Sequence, residues 1–310
     1  WKALDLTKFG GEPVDLVIGT KFPSYFVQHP RKVAWLVHQH RQVYDLYGTR
    51  FGDFAASVND EALRQMIVDA DLKSLGECRA LYTISENVGD RLQRSRGLNS
   101  KTLLPPLPLG DRYYQATAQP YILSVGRLCS IKRVDLIIKS LPYVDGALKL
   151  KIVGVPDEPA IDVYLRSEID KHHLWNRVEF LGRVSDEELL RLYAEAFAVY
   201  YAPFDEDYGF VTLEALASGK PVITAQDSGG VLEFIKDEVN GLIVEPTEMA
   251  MGNGINRLFK DAELYSRLCT AAKQSLPHLS WDQLIATLTR ELVVSERIES
   301  TAGSEQTAAL

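Results

Sequence analysis

Two glutamates, Glu206 and Glu214, flank a glycine, Gly209, in the run A-P-F-D-E-D-Y-G-F-V-T-L-E at 202–214. An apolar stretch at 198–202 reads as a buried strand, and 210–217 reads as a short helix closed by Ser218 and Gly219. Glu206 is then expected in a loop ahead of a helix, with Glu214 about a turn into it. The first N–H groups of that helix, those of Gly209, Phe210, Val211 and Thr212, point at whatever lies in front of it, a site for anionic oxygen. Carboxylates around such a helix start suit a sugar phosphate. Phosphate oxygens take the N–H groups, and hydroxyls donate to the carboxylates.

A second set of charges follows an earlier strand, in S-V-G-R-L-C-S-I-K-R-V-D at 124–135. Gly126 lets the backbone turn at the strand end, Arg127 follows at once, and Lys132 lies where the next helix begins. Both cations are expected above the carboxyl edge of the sheet, near the helix start at 209. A nucleoside diphosphate leaving group needs such charge, since each charge-assisted hydrogen bond contributes roughly 1.5–3 kcal/mol. Considered alone, an Arg and a Lys near a helix start are surface residues more often than not.

The elements that must hold these groups form a regular strand–helix alternation. Strands are expected at 121–125, 148–153, 178–181, 198–201, 221–224 and 241–244, with helices near 133–141, 161–173, 186–196, 210–217, 230–236 and 247–260. S-D-E-E at 185–188 is a capping box, and Asn240-Gly241 is a turn signal. Six strands joined by helices make one Rossmann-like domain. Ahead of it, strands are expected at 13–19, 31–38, 79–85 and 101–104, with helices at 59–75 and 86–96. His38 and His40 share a face at the end of the second of these strands. The spacing leaves open which of them serves a site, and packing of either ring is the alternative. The fold class is therefore α/β with parallel sheets.

Composition narrows the partners. At 310 residues the chain can bury two cores. A net charge of −8 argues against general nucleic-acid binding. No apolar run reaches the length of a membrane span and no secretory signal opens the sequence, so a cytoplasmic protein is expected. The three cysteines, Cys78, Cys129 and Cys269, lack metal spacing and read as reduced thiols. His172 and His173 read as surface residues. Arg91, Arg94, Arg96 and Lys101 form a basic run for which contact with the inner membrane face is kept open beside a solvated surface. No strand leads into G-x-G-x-x-G, which disfavours a nicotinamide dehydrogenase.

The whole context at 198–223 resembles the signature of retaining, GT-B-fold glycosyltransferases, glycosyltransferase family 4, in which an E-x7-E pair follows a Pro-rich acidic loop. The I-S-E-N-V-G-D-R-L run at 84–92, with P-P at 105–106, is similar to the end of that family's first domain. The resemblance implies two Rossmann-like domains facing across a cleft: an acceptor-side domain at 1–112, a nucleotide-sugar domain at 113–276, and a helix at 277–299 crossing back to the first. A disordered tail at 300–310 is expected from composition. Transfer would run from a nucleotide-diphosphate-sugar to a hydroxyl on a saccharide or lipid-linked acceptor, as in polysaccharide assembly, with no cofactor. Arg127 and Lys132 match the diphosphate clamp, with Arg133 standing where the family has a small residue. The backbones of Arg183 and Val184, in F-L-G-R-V at 180–184, would meet the base. The loop 226–230 would close near the donor sugar. Glu206 would grip sugar hydroxyls, Glu214 the ribose, and the histidine near 38 would sit by the transferring carbon. No metal is implied, and D-E-D at 205–207 is read as a coincidental match to a metal motif. The family's opening strand and Gly-rich loop have no match, so the acceptor-side domain is expected to be incomplete and Trp1 not to be the natural start. A nucleotide-sugar-binding module without transfer is the alternative.

Overall fold

The computed structural model describes residues 1–54 and 57–290. The chain forms two compact units, one built from Trp1–Pro106 with the segment that begins at Leu279, the other from Leu107–His278. The divisions fall after Pro106 and His278, against expected boundaries at 112/113 and 276/277.

The first unit opens with a hairpin, β1 (Lys8–Phe9) and β2 (Glu12–Pro13). This corrects the strand expected at 13–19: the two glycines at 10 and 11 turn the chain back. The first strand of the main sheet is β3 (Val17–Lys21). Then come β4 (Lys32–His38), α1 (Val58–Gly76), β5 (Ala80–Thr83), α2 (Glu86–Arg96) and β6 (Lys101–Thr102). Ser57 and Ser85 cap the two helices by accepting from Asp60 N and Val88 N. The sheet is parallel, in the simple order β3-β4-β5-β6.

The second unit carries β7 (Tyr121–Val125), α3 (Val134–Ser140), β8 (Lys149–Val153), α4 (Pro159–Lys171), β9 (Val178–Gly182) and α5 (Asp186–Glu195). It continues with β10 (Ala198–Tyr200), α6 (Phe210–Ala217), β11 (Val222–Ala225), β12 (Gly241–Val244), α7 (Glu248–Lys260) and α8 (Ala262–Gln274). Ser185 caps α5, its Oγ accepting from Glu188 N at 3.2 Å, while the Glu188 carboxylate accepts from Arg191 at 2.6 Å. The helix expected at 230–236 is only a 3-10 turn, Gly230–Glu233. Helix α8 was not expected. It follows α7 after a single residue, Asp261, whose carboxylate caps it through Leu264 N at 2.9 Å. With no glycine or proline between them, the two helices leave no break in the sequence pattern.

The second sheet is wholly parallel, in the order β12-β11-β10-β7-β8-β9. Its strands run outward in both directions from the β7–β10 pair. A core of aliphatic side chains fills it, including Ile122, Leu150, Ile152, Ile223, Ile255 and Leu268.

In the first unit the expected C-terminal helix is seen as α9 (Trp281–Leu288). Its Leu284 and Leu288 pack with Val33 and Tyr82, which share a sheet face through period-two alternation. The remainder of 277–299 beyond residue 290, and the tail at 300–310, lie outside the described residues.

Candidate functional site

In an open parallel sheet, ligands bind outside the carboxyl ends of the strands where the order reverses. Here that point lies between β7 and β10, so the loops that follow these two strands flank the crevice. The first loop supplies Lys132 and the second supplies Tyr201 and Glu206. The Lys132 ammonium pairs with Glu206 Oε2 and donates to Tyr201 Oη at 3.0 Å. Tyr201 Oη in turn donates to the same glutamate oxygen at 3.0 Å. The Lys132 and Glu206 side chains are 17% and 14% exposed, so the pair is largely desolvated yet still reachable. Burial, reinforced by Glu206, pushes the Tyr201 phenol well up, which keeps it a proton donor at neutral pH.

Arg133 is the residue that sequence reasoning missed. It adopts a left-handed conformation, φ 51°, which explains why a small residue is expected there. Its side chain turns inward. It donates to Ala202 O at 2.7 Å, to Pro203 O at 2.8 Å, and to both carboxylate oxygens of Asp227 at 2.6 and 2.8 Å. One buried guanidinium thus ties the first loop to the acidic loop and to the 226–230 loop. Backbone bonds complete the joint: Phe204 N to Ile131 O, Asp205 N to Asp227 O, Glu206 N to Ser228 O, and Gly230 N to Glu206 O. The 226–230 loop is therefore brought against Glu206. The only signal in the sequence was the departure from the small residue at 133.

Gly209 begins α6 at φ 87°, and a Cβ there would stand 3.0 Å from Val231 Cγ2. Glycine is needed on both counts. Of the amides expected to face an anion, that of Thr212 is already given to Gly209 O at 2.9 Å, because the helix closes its first turn tightly. The Phe210 and Val211 amides remain at the helix start. Glu214 is buried on α6, where Tyr193 Oη donates to its Oε2 at 2.6 Å. Burial pushes its carboxyl up, offset in part by the Tyr193 and Tyr113 hydroxyls. The two glutamates of the motif thus have different surroundings.

Arg127 has a different partner from Lys132. Its side chain is 69% exposed and pairs with Asp157 at 2.6 Å, because Arg127 leaves the strand end toward the loop after β8. Arg127 and Lys132 thus rest on different carboxylates, Asp157 and Glu206. Gly126 does turn the chain at the end of β7, and Gly154 ends β8 beside it. A Cβ on Gly154 would stand 1.8 Å from Gly126 O, so this rim closes only with glycine. Arg183 and Val184 follow Gly182 at the end of β9, exposed and half-buried respectively.

In the first unit, His38 ends β4, its Nδ1 2.5 Å from Gln39 O. His40 stacks on Phe22, with centroids 4.9 Å apart at 12°, and burial pushes its imidazole pKa down. Their placement leaves the choice between the two where the spacing left it. The basic run is not a continuous surface: Arg91 is buried and pairs with Asp45 at 3.6 Å, and Arg96 lies over the Tyr44 ring. Positions 91 and 96 turn inward on α2, so only Arg94 and Lys101 are exposed.

Among the described residues, no group of three His, Cys, Asp or Glu side chains could hold a metal ion, and no helix is long and apolar enough to cross a membrane. An uncharacterized glycosyltransferase of Methanocaldococcus jannaschii is 32% identical over 165 residues, 53% of this chain and 42% of that relative. The chain thus spans less than half of the length of that relative. Sucrose-phosphate synthase from Thermosynechococcus elongatus has a similar structure, with a TM-score of 0.74 at 20% identity over 91% of this chain and 74% of that one. So has Anabaena HepE in complex with UDP-glucose, with a TM-score of 0.70 at 18% identity over 85% and 72%. These likenesses show a GT-B type of α/β fold. Residues 113–275, which hold the Lys132–Tyr201–Glu206 cluster and all the loops that fix it, match the glycosyl transferases group 1 family, and the chain belongs to that family.

Proposed function

We propose that the second unit binds a nucleotide-diphosphate-sugar and that the chain serves a retaining glycosyltransferase. The observation that carries this reading is the Lys132–Tyr201–Glu206 cluster at the point where the strand order reverses. A UDP-hexose is the first donor to try, because the Anabaena neighbour was solved with UDP-glucose.

In this reading the donor diphosphate takes over Lys132 from Glu206. The ammonium and the Phe210 and Val211 amides then stabilise the charge that grows as the sugar–phosphate bond breaks. Glu206, released, accepts from sugar hydroxyls. Arg127 swings from Asp157 to an outer phosphate oxygen, its exposure leaving it free to move. Glu214 reaches the ribose by exchanging Tyr193 for a sugar hydroxyl. The Arg183 and Val184 backbones meet the base. The His38 or His40 ring steadies the cationic sugar. Retention requires attack from the leaving-group face, with a phosphate oxygen taking the proton of a saccharide or lipid-linked hydroxyl. No metal is needed, since Lys132 and the helix start carry the charge.

The test is thermal stability of the chain with UDP-, GDP- and ADP-sugars, with and without EDTA, followed by a transfer assay. A ligand at 100 times its dissociation constant adds about 2.7 kcal/mol. A shift for one nucleotide class, unaffected by EDTA and lost in Lys132→Ala, is expected. No shift with any donor would overturn the reading. Binding without transfer to any acceptor would leave a nucleotide-sugar-binding module.

A further inference from the structure

The amino edge of the second sheet, opposite the donor loops, carries a buried lysine with no carboxylate partner among the described residues, and burial pushes its pKa down. Lys220 precedes β11 and is 1% exposed. Its ammonium donates to one acceptor, Ala116 O, at 3.2 Å. Among the described residues no carboxylate pairs with it; the nearby Glu195 is held by Arg191 at 2.8 Å. Cys269 does not supply the charge either, since burial pushes its thiol up and keeps it neutral. A buried ammonium left in this state is costly, and such groups are ordinarily paired.

The surroundings are open to a ligand. A cavity of about 370 Å³ borders Lys220, Gln115, Ser266, Cys269 and Thr270. A second hollow of about 540 Å³ shares Ser266 and Thr270 and continues along α8 to Arg267, with Glu263 also on its wall. Gln115 is pressed against Gly219, where a Cβ would stand 2.8 Å from its Cδ. Helix α8 is anchored by the Tyr265 ring stacked on Phe197 at 4.4 Å. The two hollows together present the Gln115 amide and the Lys220 ammonium and, along α8, the Ser266 hydroxyl and the Arg267 guanidinium, with the Thr270 hydroxyl donating to Ser266 O at 3.0 Å. We propose that this groove binds a small phosphate-bearing ligand, whose anionic group pairs with Lys220. Several oxygens on one centre match this number of polar groups better than a carboxylate does.

The test is titration of the full chain with inorganic phosphate, followed calorimetrically, at constant ionic strength. Lys220→Met removes the charge and keeps the stem, and it should weaken phosphate binding at least tenfold. Gln115→Ala, which leaves the buried lysine alone, should weaken it several-fold, so a poorly folded Lys220→Met protein would not remove the test. Lys132→Ala, in the donor site at the other edge, should leave it within twofold. Unchanged affinity in both Lys220→Met and Gln115→Ala would overturn the proposal. So would loss of binding in Lys132→Ala, which would show phosphate reading the donor site, or acetate binding as tightly as phosphate.

Discussion

The carboxyl edges of the two parallel sheets are built differently. In the second unit the strand order reverses between β7 and β10, and three loops lock together over that point through Arg133, Glu206 and backbone bonds. In the first unit the described strands follow each other in sequence order, with no reversal. There His38 lies against Gln39 O and His40 against the Phe22 ring. A reversal splays two successive loops apart and opens a crevice, whereas a sequential sheet stacks its loops side by side. The second unit therefore carries a charge site whose geometry is set within itself, while the two histidines of the first are held by a carbonyl and a ring.

Four measurements test that contrast. Lys132→Ala should lower the transfer rate about 10²–10³-fold, as for loss of a group that meets transition-state charge. A rate within tenfold of the parent would mean that the cluster is not the seat of the chemistry. Arg133→Ala should destabilise the chain by about 2–4 kcal/mol in urea unfolding. Breaking a buried ion pair sets the upper end, and the 36% exposure of Asp227 reduces it. A loss under 1 kcal/mol would show that the loops lock without it. His40→Ala should cost only about 0.5–1.5 kcal/mol, the worth of a ring contact, and leave donor affinity unchanged. Weaker donor binding would assign the sugar contact to His40 rather than His38.

The smallest effect concerns Glu214. Its carboxyl is raised in the folded chain above the ordinary 4.5, so the folded state holds the proton more tightly than the unfolded one. Stability from this group is full below the unfolded value and is lost as pH rises through the folded value. Glu214→Gln, which does not ionise, should flatten that fall in urea midpoints followed upward from pH 4.5. An identical pH profile would place the carboxylate in water rather than against Tyr193.

Much of the second unit was readable from the sequence, because parallel strands buried on both faces leave continuous apolar runs and glycines mark their ends. The Ser185 cap and the Gly209 turn were legible for the same local reason. What was hidden depended on partners far away in the chain. Arg133 looked like an anomaly in a motif until its side chain met Ala202, Pro203 and Asp227. The pairing of Arg127 with Asp157, on another loop, left no mark in the sequence. Helix α8 was missed because Asp261 alone separates it from α7. The hairpin at 8–13 was misread because two-residue strands carry too little pattern to show a period.

Local sequence sets the alternation of strands and helices, the acidic loop ahead of a glycine-started helix, and the residue types available for a sugar phosphate. These follow from local periodicity, capping and turn chemistry, which act over a few residues. Long-range packing brings Lys132, Tyr201 and Glu206 to one point, buries Glu214 on Tyr193, and leaves Lys220 without a carboxylate partner among the described residues. Those outcomes depend on which strands are neighbours and on the burial this imposes, and a charge takes its chemistry from the groups packed around it.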